Sequence, residues 1–312
     1  MGIKSLEVRL GRLSLKTPII IASGIFSYGE VNIDYLDYKK LGAITTKTIT
    51  FLPRKGNPQP RIWETPSGII NCVGLQNPGI KEFIKKGLYN VSLKGVKTIV
   101  SISGENPDEI KKMTDMLMDK GVEAIELNLS CPNVNRENRM VSQSPEDTYS
   151  IVKAVKDITK NITIIAKLSP SVTDITEIAL AAERGGADAI SLINTVKAMA
   201  VDIEKKRVIE GGLSGPAIKP VGLKAVYDVY KKVKVPLIGI GGITTGEDAI
   251  EYMLIGASAI GVGSGFFSNP YLIDQIYGTF IKFLEKNNLK KIADATGLLN
   301  EKKDKGAGKR KG

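Results

Sequence analysis

The sequence predicts an α/β protein: a (β/α)8 barrel with an N-terminal β-hairpin and long loops over the C-terminal face. Three observations carry this reading. Apolar runs of strand length recur eight times and alternate with amphipathic helical stretches. The series is continuous, which argues for a closed parallel barrel rather than an open sheet. The first strand ends Ala22-Ser23-Gly24-Ile25-Phe26, which is not the glycine fingerprint that opens a dinucleotide-binding sheet.

Taken in order, Leu6 to Leu10 and Leu13 to Lys16, joined by Gly11-Arg12, read as the hairpin. The barrel strands are placed at 18–22, 43–48, 98–101, 122–127, 162–168, 187–193, 237–240 and 259–263. The clearest helices are 107–120, 144–159, 174–185, 219–232 and 245–256. Asp108 and Glu109 near one helix start, and Gly121 past its end, suit capping and dipole preferences. Two longer interruptions, 49–79 and 197–215, follow the C-terminal ends of the second and sixth strands. Barrel enzymes build their sites there, so these segments are expected to cover a substrate and to offer a partner surface. One barrel domain, 1–295, is expected, followed by a charged, disordered tail at 296–312.

Composition narrows the chemistry. The 312 residues include no histidine, so Ser-His-Asp and Cys-His catalysis and histidine-based metal sites are excluded. Acid–base work must fall to Cys, Asp, Glu, Lys or Tyr. Two cysteines give no disulfide framework. The N-terminus lacks a signal-peptide layout, and no apolar stretch reaches the roughly 18 residues of a membrane span, so a cytoplasmic protein with no membrane contact is expected. The net charge is +11, but +4 of it lies in the last twelve residues, and aromatics make up only 6%. A nucleic-acid surface is therefore the weaker account of the charge; anionic ligands or a protein partner account for it as well.

Polar residues gather where the apolar runs end. The fourth strand stops in Asn128-Leu129-Ser130-Cys131-Pro132-Asn133, the sixth in Asn194, and Asn71 lies in the first long interruption. Asparagine offers donor and acceptor together, which suits a planar heterocycle with alternating N–H and C=O edges. One asparagine alone is more simply a turn cap; four together are less so. Lys47 and Lys167 end the second and fifth strands in apolar surroundings, placed to hold an anion or an electron-rich ring rather than to face solvent. Glycine-rich turns follow strands seven and eight, Gly239-Ile-Gly241-Gly242 and Gly261-Val-Gly263-Ser264. Barrels bind phosphate at these two positions through bare backbone N–H groups and a helix N-terminus.

Together with Leu75-Gln-Asn-Pro-Gly79, Ile193-Asn-Thr195 and Gly212-Leu-Ser-Gly-Pro-Ala-Ile-Lys-Pro220, these motifs resemble the dihydroorotate dehydrogenases. The chain is most similar to the catalytic subunit of their NAD-linked class 1B, from about Leu6 to the low 290s. The resemblance implies an FMN enzyme that oxidises dihydroorotate to orotate in pyrimidine biosynthesis. It implies Cys131 as base and Lys47 in touch with both flavin and substrate. Asn71, Cys72, Val73, Gly74, Leu75, Asn128, Asn133, Asn194 and Thr195 would hold the orotate ring. Ser23, Thr48, Ser101, Asn128, Lys167, Ile193, Gly215, Gly241, Gly242, Gly263 and Ser264 would surround FMN, with no metal in this chain. A homodimer is implied, and a heterotetramer with a subunit carrying FAD and a 2Fe–2S cluster.

The sequence departs from the family in three places. Ser101 stands where an asparagine is usual, the segment from Val134 to Ser144 lacks the glycines of class 1B, and Cys72 replaces a small apolar residue. Cys72 reads most simply as a small buried hydrophobe. Two rival functions remain beside the main one: a flavin oxidoreductase acting on uracil-type dihydropyrimidines, and a non-catalytic basic binding protein on a barrel scaffold.

Overall fold

The N-terminal hairpin plugs the bottom of the barrel. Strands β1 (Val8–Leu10) and β2 (Leu13–Leu15) pair antiparallel around a turn at Gly11-Arg12, and Leu10, Leu13 and Leu15 are almost fully buried. Burial of each leucine contributes about 2 kcal/mol. Gly11 has φ +55°, and a Cβ on it would lie 2.6 Å from Asp188 Cβ. The backbone therefore lies directly on the start of the sixth barrel strand, and Arg12 N donates to Thr163 Oγ1 at 3.2 Å at the start of the fifth. This computed structural model describes residues 4–29, 36–92, 95–129 and 143–300.

The chain continues through β3 (Ile19–Ile21) and β4 (Ala43–Thr45), then the hairpin β5 (Ile62–Thr65) and β6 (Gly68–Asn71). The short helices α1 (Ile80–Glu82) and α2 (Leu88–Ser92) follow, joined by a π turn at Phe83–Gly87. Three β–α steps come next, followed by a further strand: β7 (Lys97–Ile102) and α3 (Pro107–Met118); β8 (Ala124–Asn128) and α4 (Pro145–Lys156); β9 (Thr163–Leu168) and α5 (Ile175–Arg184); then β10 (Ala189–Leu192). A second hairpin, β11 (Val196–Asp202) and β12 (Arg207–Ser214), precedes α6 (Lys219–Tyr230). The chain then runs through β13 (Leu237–Ile240), α7 (Gly246–Leu254), β14 (Ala257–Val262), α8 (Gly265–Ser268) and α9 (Leu272–Lys286).

Strands β3, β4, β7, β8, β9, β10, β13 and β14 close into a parallel barrel in that order, with β14 back against β3. All eight expected strands and all five expected helices are present. The helix starts follow from their caps. Asn106 accepts from Glu109 N at 2.9 Å with Pro107 behind it, Ser144 accepts from Asp147 N, and Asp174 from Thr176 N. Strand β4 is shorter than expected and ends at Thr45. Beyond it Lys47 N donates to Ser27 O, and Ile49 N to Ser101 O, so the chain leaves the ladder at Lys47 and rejoins β7 at Ile49.

The two long interruptions are ordered, and they meet. Hairpins β5-β6 and β11-β12 form one antiparallel sheet in the order β11-β12-β6-β5. In it Gly212 stands opposite Asn71, and Leu213 opposite Ile70. This sheet rises from the C-terminal ends of β4 and β10. At the other end of the chain, Gly297 N donates to Met253 O at 3.0 Å and Asn300 Nδ2 to Ile255 O at 2.9 Å, so the packed body extends through residue 300. The rest of the basic tail, 301–312, lies outside the described residues. No helix among the described residues is long and apolar enough to cross a membrane.

Candidate active site

Four polar side chains from four neighbouring strand ends meet at the C-terminal mouth. Ser23 Oγ donates to Thr46 O at 2.8 Å and lies 3.3 Å from Thr48 Oγ1. Thr48 Oγ1 is 3.0 Å from Ser101 Oγ, and Asn128 Nδ2 donates to the same Thr48 oxygen at 3.0 Å. Thr48 and Ser101 are buried, so these contacts satisfy groups that water does not reach. Ser101, expected as a departure from the family pattern, serves here as a hydroxyl partner of Thr48.

Strand alternation carries the polar set down into the barrel. Asn128 points to the mouth, so Glu126, two residues earlier on β8, faces the interior below it. Lys167 on β9 stands opposite Asn128 and also opposite Ser191 on β10. Lys167 Nζ lies 3.7 Å from Glu126 Oε1, and Ser191 Oγ donates to Glu126 Oε2 at 3.2 Å. All three side chains are buried.

Lys47 supplies a second cation at the mouth. Burial, and then the neighbouring Arg61 guanidinium, hold its pKa below the usual lysine value. Arg61 is braced by Asn57 O at 2.6 Å and Lys55 O at 3.0 Å. Two like charges thus stand near each other at the mouth.

The segment from Asn71 to Leu75 runs off the end of β6. Asn71 Nδ2 donates to Gly212 O at 3.1 Å, and a Cβ on Gly212 would lie 2.1 Å from Thr195 Oγ1. Glycine there lets β12 pass between Asn71 and Thr195. Asn194 N donates to Leu168 O at 2.9 Å, and its Oδ1 accepts from Thr195 N at 2.8 Å. Cys72 is half-buried, with Sγ 3.8 Å from Pro60 O, and Asn57 binds the Cys72 and Val73 carbonyls. Gly74 (φ +72°) and Leu75 (φ +51°) then reverse the chain. Buried Asn77 fastens the far end: it accepts from Thr50 N and Gly79 N and donates to Thr50 Oγ1 and Leu75 O.

The glycine turns differ from each other. Gly242 has φ +67°, and a Cβ on it would meet Lys219 N at 2.7 Å, so the turn presses on the start of α6. Gly241 (φ +128°) offers its carbonyl to Tyr252 OH at 2.8 Å. Burial pushes the Tyr252 hydroxyl above its ordinary pKa. A Cβ on Gly263 would meet nothing within 4 Å, and Ser264 stands beside it at the N-cap position of α8, with no side-chain capping bond. Gly215 (φ +105°) packs on Gly68, and Ile193 N donates to Ile240 O at 3.0 Å. The start of α7 is closed by a capping box: Asp248 accepts from Thr244 N and Thr245 N and pairs with Lys219 Nζ at 2.6 Å. The protein's own carboxylate thus meets that helix terminus.

The profile described as Dihydroorotate dehydrogenase matches residues 5–284. The chain belongs to the dihydroorotate dehydrogenase family. It is 45% identical over 300 residues to the "Dihydroorotate dehydrogenase B (NAD(+)), catalytic subunit" of Caldicellulosiruptor bescii, covering 95% of this chain and 99% of that one. The protein of the same name from Bacteroides thetaiotaomicron is 43% identical over 300 residues, covering 94% and 98%. Among solved structures, a dihydroorotate dehydrogenase of Eimeria tenella in complex with ferulenol superposes with a TM-score of 0.80 at 25% identity, covering 95% of this chain and 88% of that one.

Within this dihydroorotate dehydrogenase barrel, Ser23, Thr48, Ser101 and Asn128 form one bonded cluster. Asn71 and Thr195 flank Gly212, and Asn194 accepts from Thr195 N. Cys131 and Asn133 lie outside the described residues. Sequence reasoning assigned no role to Glu126, Ser191, Arg61 or Asn77. For Glu126 a signal was present: it is the one charged residue between Ala124 and Asn128 in an apolar strand.

Proposed function

We propose that this chain oxidises dihydroorotate to orotate in cytoplasmic pyrimidine (UMP) biosynthesis, with FMN as its resident cofactor. The observation that carries the reading is the match of nearly the whole barrel to dihydroorotate dehydrogenases. The residues present fit FMN. Gly263 leaves free the space a Cβ would fill, beside the bent turn at Gly241 and Gly242, and such bare backbone suits a phosphate. Lys167 offers a buried cation, and the cluster around Thr48 offers hydroxyl and amide groups for a polar ring edge. FMN, when bound, supplies the two-electron acceptor that no side chain provides.

The chain's own residues do the rest. Cys131 Sγ, as thiolate, takes a proton from the ring carbon next to the carbonyl. A free thiol with a pKa of about 8.5 is an adequate base. Lys47 holds the substrate carboxylate and ring oxygen, and Asn71, Asn128, Asn133, Asn194 and Thr195 read the ring's donor–acceptor edge.

The electrons must leave this polypeptide to reach NAD. Two cysteines do not provide the four protein ligands a 2Fe–2S cluster takes. The assembly proposed is a dimer of this chain joined to a subunit that carries FAD and the cluster. Purified chain mixed with dihydroorotate should reduce a dye and yield no NADH. Rapid NADH formation by this chain alone would refute the partner.

A further inference from the structure

The Lys167–Glu126 pair has a geometry that hydrogen bonding alone does not explain. Both side chains are buried inside the barrel, yet Nζ and Oε1 stand 3.7 Å apart, too far for a hydrogen bond. Glu126 Oε1 has no hydrogen-bond partner among the described residues, whereas Oε2 is held by Ser191. An orphan carboxylate oxygen in a barrel interior costs free energy unless a cation balances it. Lys167 is the cation in reach. Conversely, a lysine ammonium this deep is disfavoured without a counter-charge.

We propose that Glu126 is a positioning residue for cofactor binding: it draws Lys167 by charge and aims it at the mouth without consuming its donors. The proposal rests on the FMN reading above. Ser191 fixes the carboxylate from one side, so Oε1 faces β9, where Lys167 stands opposite both Ser191 and Asn128. The ammonium is thus drawn by charge from below, and its N–H groups stay available for an electron-rich ring edge above. A bidentate ion pair would have spent them.

The test is a double-mutant cycle read by FMN dissociation constant, using the quenching of flavin fluorescence on binding. The variants are Glu126→Gln, Lys167→Met and the two combined. Glu126→Gln should weaken FMN binding about tenfold in the presence of Lys167, and by less than about twofold in the Lys167→Met background, the scale of coupling expected for a contacting pair. Removing one member of a buried pair is more harmful than removing both. If Glu126→Gln alone fails to fold while the double variant folds, that rescue supports the proposal too. Equal loss of affinity in both backgrounds, or no loss in Glu126→Gln, would overturn it. Failure of the unaltered chain to bind FMN would instead overturn the cofactor reading.

Discussion

Asn128 Nδ2 donates to Thr48 Oγ1 at 3.0 Å, and so ties the end of β8 to the segment that leaves β4, past the intervening β7. Thr48 is the hub of this connection, because Ser23 and Ser101 hydroxyls meet the same oxygen. Thr48→Val keeps the shape and removes the hub. It should lower stability by about 1–3 kcal/mol, since buried Ser101 and Asn128 each lose a partner. Urea unfolding of the apo chain measures this. An unchanged midpoint would mean the cluster carries no structural weight.

Lys47 gives a pH dependence whose sign follows from its surroundings. Burial first, and Arg61 second, depress its folded-state pKa below 10.5. The unfolded chain therefore holds the Lys47 proton to higher pH than the folded one, and stability rises with pH through the window between the two values. Below that window the folded state bears the full cost of the buried charge. Lys47→Met should be more stable than the unaltered apo chain near neutral pH, with the gap closing toward about pH 10. The same variant should bind orotate more weakly, because the carboxylate loses its cation. A variant that gains no stability at neutral pH would contradict the electrostatic account.

The two glycine turns should respond differently to one substitution. At Gly263 a new Cβ meets no neighbour within 4 Å, so Gly263→Asp should fold normally and lose FMN by placing a carboxylate against the phosphate. At Gly242 the positive φ and the Lys219 backbone at 2.7 Å make Gly242→Asp a folding defect first. Thermal unfolding and visible colour separate the two. A fully yellow Gly263→Asp would remove the phosphate from that turn.

The barrel was legible because its strands are local apolar runs punctuated by capped helices; the Asn106 and Ser144 caps stand in the sequence where the structure uses them. The mouth was legible as residue types, since Lys47, Asn128 and Lys167 interrupt apolar runs. The sheet over the mouth was not. Its key pairing sets Asn71 against Gly212, and no local pattern announces a partner so far along the chain. The early end of β4 escaped for a similar reason. Residues 46–48 look like strand, but after Thr46 N bonds to Ile99 O, Lys47 N turns to Ser27 O, and pairing with β7 resumes at Ile49. Arg61 and Asn77 act through backbone carbonyls and amides of their own loop, a role that any polar loop residue could fill on paper.

The most direct test of the account is anaerobic single turnover of the FMN-loaded chain, with bleaching of the flavin band as the signal. Dihydroorotate should bleach the flavin rapidly, dihydrouracil should not, and Cys131→Ala should slow the dihydroorotate reaction by about two to four orders of magnitude while keeping the flavin. A flavin that stays oxidised with dihydroorotate, or that dihydrouracil bleaches faster, would contradict the proposed reaction.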